Sequence, residues 1–570
     1  MAKKKSKTQA KRGGKESRRA KRKRLDLISL GGVNEIGKNM FVLETDDEIL
    51  IIDCGMSFPG EGHLGVDYLI PDFSYLIKKR EKIVGLILTH GHEDHIGGLP
   101  FLPEEIDMPV YGTPITVAFA EAKMADYGRK GDIQFYEFEA GSSYEIGSDY
   151  VVEPYHVNHS MPDGVGFAIR TKAGIYVHSG DFKIDQTPVD NWTTDFAKLS
   201  ALGEEGVDFL TVDVTNVDRP GYTPSERHVG RGIKQILGRY PDRRIFAAMF
   251  SSNVHRVQQA IDAAYHFGRV TAPIGRSMIQ SVHIALELGY LKVPKDALID
   301  ADRISRYPDE KIMIIATGTQ GEPMSALRMM SREAHRVAIH EGDVVIISAR
   351  PIPGNEAAVW QTINDLCRIG ARVIYQTDDV HVSGHGSREE IKMVCNLLKP
   401  KWIMPFHGEM RHVARAAELA EEMGLPDEVF IRPELGRRIE IGTRKVKYGE
   451  IVRSGTHLVD GLIVEEEGTE LLHERQQLSQ GGVLVVNVLI DAKTKKFKSV
   501  NAASRGFISP SEDDILQKIE QILQDSLKAV RENDFVEYAT YRRKVDGKME
   551  KFLWKNTNRR PSILTNIIEV

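Results

Sequence analysis

The sequence predicts a layered α/β protein built from several domains, and three observations carry that prediction. Near the start of the chain, short apolar or alternating runs end repeatedly in polar turns that carry histidine or aspartate. Over residues 223–375, strands alternate with helices in the pattern of a second, parallel-sheet unit. Near the end, the strand pattern at 483–490 and an amphipathic helix from about residue 512 form a third group. The 570 residues are 41% hydrophobic and 28% charged. That is a globular balance, with length for roughly two to four domains.

Taken in order, residues 25–30, 40–44 and 48–52 read as strands separated by Gly-Gly and Asp-Asp turns. Residues 82–88 read as a buried strand running into Thr89-His90-Gly91-His92-Glu93-Asp94-His95. The strands expected at 150–152, 174–178 and 209–212 each stop before a polar residue, and in such folds chemistry gathers at strand ends and the loops after them. In the second unit, 231–237 and 254–264 read as helices and 244–249, 311–316 and 343–347 as strands. Histidine-bearing turns at 381–386 and 405–408 then signal a return to the first domain. Residues 432–466 read as a strand-poor, charged connector. In the last unit Ser511 is the expected helix N-cap, with Asp513 and Asp514 in the first turn and Ile515, Ile519, Ile522, Leu523 and Leu527 as one apolar stripe. No catalytic cluster stands out there, so that unit reads as packing or assembly surface. The expected boundaries are a basic arm at 1–24, a core at 25–222 with its return segment at 376–450, an insertion at 223–375, a linker at 451–470 and a C-terminal domain at 471–570.

Charge divides the chain unevenly. Residues 1–24 hold thirteen Lys or Arg and one Glu, a net +12, so the rest carries −17 of the overall −5. Such a block cannot bury enough apolar surface to offset its ordering entropy and reads as a disordered arm whose natural partner is a polyanion. No apolar run approaches the roughly 18 residues of a membrane span, and no leader pattern opens the chain, so a cytoplasmic protein with no membrane association is expected. Cys54, Cys367 and Cys395 are odd in number and far apart. They form neither a disulfide framework nor a C-x-x-C pair, and any metal must rest on His and carboxylate.

The sharpest motif is His90-x-His92-x-Asp94-His95. Four ligand-type side chains follow a buried strand, with Gly91 expected to let the backbone bend between them. They offer more donors than one tetrahedral ion can use while keeping an open position, which points to two adjacent ions. His159, Asp181 and His407 are further ligand candidates, each following a strand. Two carboxylates in the set admit Mn²⁺ beside Zn²⁺.

These motifs resemble the metallo-β-lactamase superfamily, with Asp53, His90 to His95, His159 and Asp181 as successive motifs. The resemblance implies an αββα sandwich with two Zn²⁺ per subunit. His90, His92 and His159 would hold one ion, Asp94, His95 and His407 the other, with Asp181 bridging and Asp53 orienting an imidazole. Asp213, His385 and His407 are similar to the three extra motifs of the β-CASP nucleases, whose second α/β domain would be the insertion. With Gly31 to Asn39, Gly318 to Pro323 and Arg559-Arg560-Pro561, the resemblance narrows to bacterial ribonuclease J over about residues 25–570. One departure is Val214, where that family usually has a small residue, often Ser.

The resemblance implies a metal-dependent ribonuclease of RNA maturation and decay, including rRNA processing and mRNA decay. It implies 5′-to-3′ exonuclease action favouring 5′-monophosphate ends, with internal cutting besides. Asp213, His385 and Asp181 would be catalytic, His385 stabilising or protonating the leaving group with Asp213 orienting it. Ser252 and Asn253, at a helix start, and His381, Val382, Ser383, Gly384 and His385, from the opposite domain, would bind substrate around the terminal phosphate. For Ser252 and Asn253, plain helix capping is an equal reading of the residues themselves. Expected partners are single-stranded RNA, a second or fourth copy of the chain, and ribosomes or an RNA-degradation assembly. Competing readings keep the metals but take DNA or a small ester, or make the chain a non-enzymatic RNA-binding scaffold.

Overall fold

The structure is a computed structural model describing residues 24–570 apart from 61, 323, 353–354, 378, 443–444, 495, 507–511 and 529–537. All of the expected basic arm except Arg24, and the expected N-cap Ser511, lie outside the described residues, as do the side chains of Asp513 and Asp514. The chain divides into two compact units. The larger takes the described residues up to Met56, Phe73–Arg350 and Val359–Gly455, and the smaller takes Ser57–Asp72, Pro351–Ala358 and Thr456–Val570.

The larger unit holds two stacked sheets. One has eight strands in the order Lys445–Ile451, Arg437–Gly442, Leu25–Gly31, Met40–Glu44, Ile49–Ile52, Ile83–Ile87, Val110–Gly112 and Phe135–Glu137. The other has six, in the order Trp402–Phe406, Phe209–Asp213, Gly174–His178, Val165–Thr171, Tyr150–His156 and Tyr144–Ile146. The β-rich apolar runs bury Leu27, Phe41, Leu43 and Ile52 from the first sheet against Phe167, Ile169, Phe209 and Phe406 from the second. Helices Phe196–Glu205, Arg388–Leu398 and Met410–Glu422 contribute to the core on the far face of the six-stranded sheet, with Leu199, Val394 and Leu419 beside Val177, Leu210 and Val212. This is the expected αββα sandwich. The return of the chain is explicit, since Trp402–Phe406 pairs in parallel with Phe209–Asp213 and so sets His407 beside Asp213.

The inserted sheet is wholly parallel, in the order Val270–Ile274, Ile312–Ala316, Ile245–Ala248, Val344–Ile347 and Arg372–Ile374. Its three central strands are continuous apolar runs because helices cover both faces. Ligands in such sheets bind beyond the carboxyl ends of the strands. Here those ends carry Ser252 and Asn253 after one strand and Ser348 after its neighbour.

In the smaller unit, Phe497–Arg505, Val483–Ile490 and Ser562–Glu569 form a sheet. Alternate residues Leu484, Val486, Val488 and Ile490 pack on helices Glu512–Lys528 and Tyr538–Thr557 through Ile519, Leu523, Leu527, Val545, Met549 and Leu553.

One expectation fails. Residues 432–466 are not strand-poor, nor are 451–470 a plain linker, for they contain strands Arg437–Gly442, Lys445–Ile451, Thr456–Asp460 and Ile463–Glu466. Thr456–Asp460 lies between Tyr68–Pro71 and Ile463–Glu466 in a three-stranded sheet. The reason is position. Lys445–Ile451 and Ile463–Glu466 are edge strands whose mostly exposed side chains mix charged and apolar residues, so the alternation that marks a half-buried strand is blurred.

Candidate metal centre

The loops after the sandwich strands converge. His90 follows Ile83–Ile87, His92 caps the short helix Glu93–Ile96, and Asp94 and His95 lie within it. The motif is thus half loop and half helical turn. Gly91 serves close packing and not the tight bend expected of it: it lacks a positive φ, and a Cβ there would meet Met161 Cε at 2.8 Å.

Donor atoms gather in two groups, one of three residues and one of four. His90 Nε2 lies 2.9 Å from His92 Nδ1, which lies 3.1 Å from His159 Nε2. Asp94 Oδ2 is 2.9 Å from His407 Nε2, and His95 Nε2 is 3.1 Å from Asp181 Oδ2. The same Asp181 oxygen is 4.0 Å from His90 Nε2, between the two groups. Its other oxygen, Oδ1, is buried and has no hydrogen-bond partner among the described residues. An unsatisfied buried carboxylate oxygen amid converging imidazoles is costly unless a cation answers it. The donor set therefore fits divalent metal, three nitrogens in one group and two carboxylates with two imidazoles in the other.

The outward atoms of these rings are held in turn. His95 Nδ1 is 2.7 Å from Asp53 Oδ2, His90 Nδ1 is 3.0 Å from the Thr89 hydroxyl, His159 Nδ1–H donates to the Gly384 carbonyl at 2.9 Å, and His407 Nδ1 is 2.7 Å from the Thr215 hydroxyl. Such partners set ring orientation and tautomer. Asp53 also accepts from the Thr89 backbone N–H and hydroxyl. Asp53 and His407 hold left-handed backbone conformations, at φ 61° and 54°, a local strain of the kind that clusters at functional sites.

Electrostatics divide the centre. Burial, with neighbouring imidazoles adding to it, holds His90 and His159 well below the usual histidine range, and burial takes His92 down to about 4. These rings are neutral and ready to donate lone pairs. Around the second group burial opposes charge, yet Asp181, Asp53 and Asp94 hold His95 well above its usual range, and Asp181 and Asp94 push His407 up to about 9. That half is a field that favours positive charge.

At the rim, His385 Nδ1 is 2.8 Å from Asp213 Oδ2, while Asp213 Oδ1 accepts from the Thr215 backbone N–H and hydroxyl. His385 stacks on His407 at 5.2 Å. The expected hydroxyl neighbour at 214 is absent, but Thr215 supplies one, and Val214 is buried in the apolar core. The loop before His385 is tightly held. Asn216 donates to Ser383 Oγ at 2.8 Å, and a Cβ on Gly384 would lie 2.7 Å from His159 Cε1. Val382 and His381 take hydrogen bonds from Arg256. Asn253 is the N-cap of Val254–His266, its Oδ1 accepting from the Arg256 N–H at 3.1 Å, so capping occupies that oxygen; the adjacent Ser252 is half-buried. The sequence reading gives no role to Thr89, Thr215, Glu226 or Arg256. Thr89 and Thr215 adjoin motifs and were within reach of it, whereas Arg256 reads as one more charged residue on a helix.

Fold and ligand set together define a metal-dependent hydrolase of the metallo-β-lactamase superfamily. Family models match accordingly: the metallo-β-lactamase superfamily over residues 33–207, the ribonuclease J β-CASP domain over 242–366, the Zn-dependent metallo-hydrolase RNA specificity domain over 370–433, and the ribonuclease J C-terminal domain over 470–570. The chain is 42% identical to ribonuclease J of Thermus thermophilus over 96% of this chain and 95% of that one. It is 38% identical to ribonuclease J2 of Bacillus subtilis over 95% and 98%. A solved structure of a protein of unknown function from Enterococcus faecalis V583 shares the fold, with a TM-score of 0.53 at 16% identity over 73% of this chain and all of that one. The chain belongs to the ribonuclease J family and is a metal-dependent ribonuclease.

Proposed function

We propose that this ribonuclease uses two zinc ions to degrade single-stranded RNA 5′ to 3′ from monophosphorylated ends, and that it also cuts internally. His90, His92 and His159 would hold one ion, Asp94, His95 and His407 the other, and Asp181 would bridge them. The observation that carries this reading is the place of Asp181, whose Oδ2 lies within 4.0 Å of a nitrogen from each group and whose Oδ1 is buried without a partner among the described residues. Bound divalent ions supply Lewis acidity and offset charge at a phosphodiester.

The chain's own residues complete the chemistry. Asp213 accepts from His385 Nδ1–H, and when the ring is doubly protonated its Nε2–H is the group that gives a proton to the departing oxygen, leaving the neutral ring still held by Asp213. Thr215 keeps Asp213 from turning by holding its other oxygen. The terminal phosphate is assigned to Ser252, the N-terminal end of helix Val254–His266 and the loop His381, Val382, Ser383 and Gly384. The Asn253 side chain, committed to capping, supports that helix end.

The test gives the purified enzyme 5′-labelled RNA ending in a monophosphate, a triphosphate or a hydroxyl, beside a DNA of matching sequence. Release of mononucleotides fastest from the monophosphate, with internal products from all three RNAs and little from DNA, is the expected pattern. Equal rates on the three ends would remove the phosphate assignment. Elemental analysis of active enzyme with no near-stoichiometric transition metal would remove the metal assignment.

A further inference from the structure

Arg256 is almost wholly buried, with 1% of its surface exposed. A guanidinium carries five N–H donors and no acceptor. All five have partners here. Nε donates to Glu226 Oε1 at 2.8 Å and Nη2 to Glu226 Oε2 at 3.0 Å; Nη2 also reaches the Val382 carbonyl at 3.2 Å. Nη1 donates to the Ser348 carbonyl at 2.8 Å and to His381 Nδ1 at 3.1 Å. Glu226 is anchored toward the metal-ligand segment, its backbone N–H donating to Asp185 Oδ2 at 2.9 Å, with Lys183 Nζ 3.9 Å from both carboxylates.

The fifth bond has a chemical consequence. Because Arg256 can only donate, the His381 Nδ1 it touches must accept, and the ring proton must sit on Nε2. We propose that Arg256 is a positioning residue that fixes His381 as the Nε2–H tautomer, so that the ring offers a neutral N–H donor to the terminal phosphate of the RNA. The proposal rests on the assignment of His381 to that phosphate. Burial, with the charges of Arg256, Arg350 and Arg219 adding to it and the Ser348 backbone opposing, holds His381 well below the usual histidine range, which agrees with a neutral ring. The same guanidinium holds the Val382 carbonyl, and three residues on, His385 is held by Asp213. The loop is therefore fixed at both ends, which sets the spacing from the phosphate donor to the reacting centre.

A donor that does not titrate should hold phosphate equally well on both sides of pH 6.5. The test measures KM and kcat for 5′-monophosphate RNA, and internal cutting of a circular RNA, from pH 5.5 to 8. His381→Gln keeps an N–H near the Nε2 position and should hold KM within about three-fold, whereas His381→Asn keeps only the acceptor for Arg256 and should raise KM about ten-fold or more. Arg256→Met combined with Glu226→Gln removes the buried pair together, leaving no lone charge. It should raise KM for monophosphate RNA about ten-fold, retain internal cutting and, because burial still keeps the ring neutral, leave the ratio of its KM to that of the parent flat across this range. The phosphate's own ionisation near pH 6 is common to both proteins and cancels in that ratio. Equal loss in the Gln and Asn variants would overturn the neutral-donor proposal, as would a double variant with unchanged KM. A His381→Asn enzyme with full monophosphate preference would instead overturn the phosphate assignment beneath it. If the double variant does not fold, the Gln and Asn pair decides.

Discussion

Thr215 Oγ1 lies 2.7 Å from His407 Nδ1, 2.7 Å from Asp213 Oδ1 and 2.8 Å from the His407 carbonyl oxygen. One hydroxyl thus links a candidate metal ligand to the carboxylate that orients His385. A hydroxyl can give one proton and accept through its lone pairs, which suits a carboxylate on one side and a ring N–H on the other. Thr215→Val keeps the shape and deletes both bonds. Loss of such a partner costs about 10- to 100-fold in metal affinity or activity. Titration of metal-depleted Thr215→Val with zinc should show weakening of that order, with the fold intact by circular dichroism. Val214→Ser, one residue away, changes a side chain packed in the apolar core and should leave metal content unaltered. Equal metal affinity in parent and Thr215→Val would remove Thr215 from the site.

At the scale of elements, Arg437–Gly442 is instructive because it closes one side of a buried ionic cluster. Arg438 donates to Asp26 Oδ2 at 2.6 Å, to Glu44 Oε2 at 3.1 Å and to Tyr75 Oη at 2.8 Å, while Lys79 and Tyr75 also donate to Glu44. Burial works to raise the Glu44 pKa, yet hydrogen bonds from Lys79 and Tyr75 and the nearby positive charges leave it below the ordinary carboxylate value. A depressed pKa in the fold stabilises it above the unfolded value of about 4.3, and that contribution is lost as pH falls through the folded value. Glu44→Gln should therefore melt below the parent at pH 7, by about 2 kcal/mol, and the gap should close toward pH 3.5 as the parent's carboxylate protonates. A gap that stays constant from pH 7 to 3.5 would show that folding does not depress the Glu44 pKa.

The same strand shows where sequence reading stops. The buried strands and the histidine motifs were legible because apolar runs ending in ligand residues have a single economical explanation. Arg438 was not, since a charged residue in a charged stretch gives no sign that its partners lie about 400 positions earlier. Arg256 was hidden for a related reason: its helix pattern is that of a surface position until the Glu226, Ser348 and His381 segments close over it. The metal ligands were visible one by one. Of the groups that hold their outer atoms, Asp53 was expected from the resemblance, whereas Thr89, Thr215 and the Gly384 carbonyl took their roles only in the fold.

For the whole molecule the governing quantity is charge. Residues 25–570 carry a net −17, which opposes approach of a polyanion, while residues 1–24 carry +12. Long-range repulsion of this kind is screened beyond about 10 Å at 0.1 M salt, so its effect on RNA capture is greatest at low ionic strength. The basic stretch should offset it by pairing with phosphates and releasing their counterions. For single strands each phosphate neutralised contributes about −0.7 to the slope of log affinity against log salt concentration. Removing residues 1–24 should then weaken binding most at low salt and make the slope less negative by about 0.7 for every phosphate that the basic stretch had neutralised. Fluorescence anisotropy of an uncleavable, 2′-O-methylated RNA between 50 and 300 mM salt measures both effects without turnover. Cutting of a short saturating substrate should change little, because every candidate ligand from His90 to His407 lies outside the deleted stretch. A truncated enzyme with the parent's slope would show that these basic residues do not touch the RNA, and capture would then have to rest on positive charge within residues 25–570.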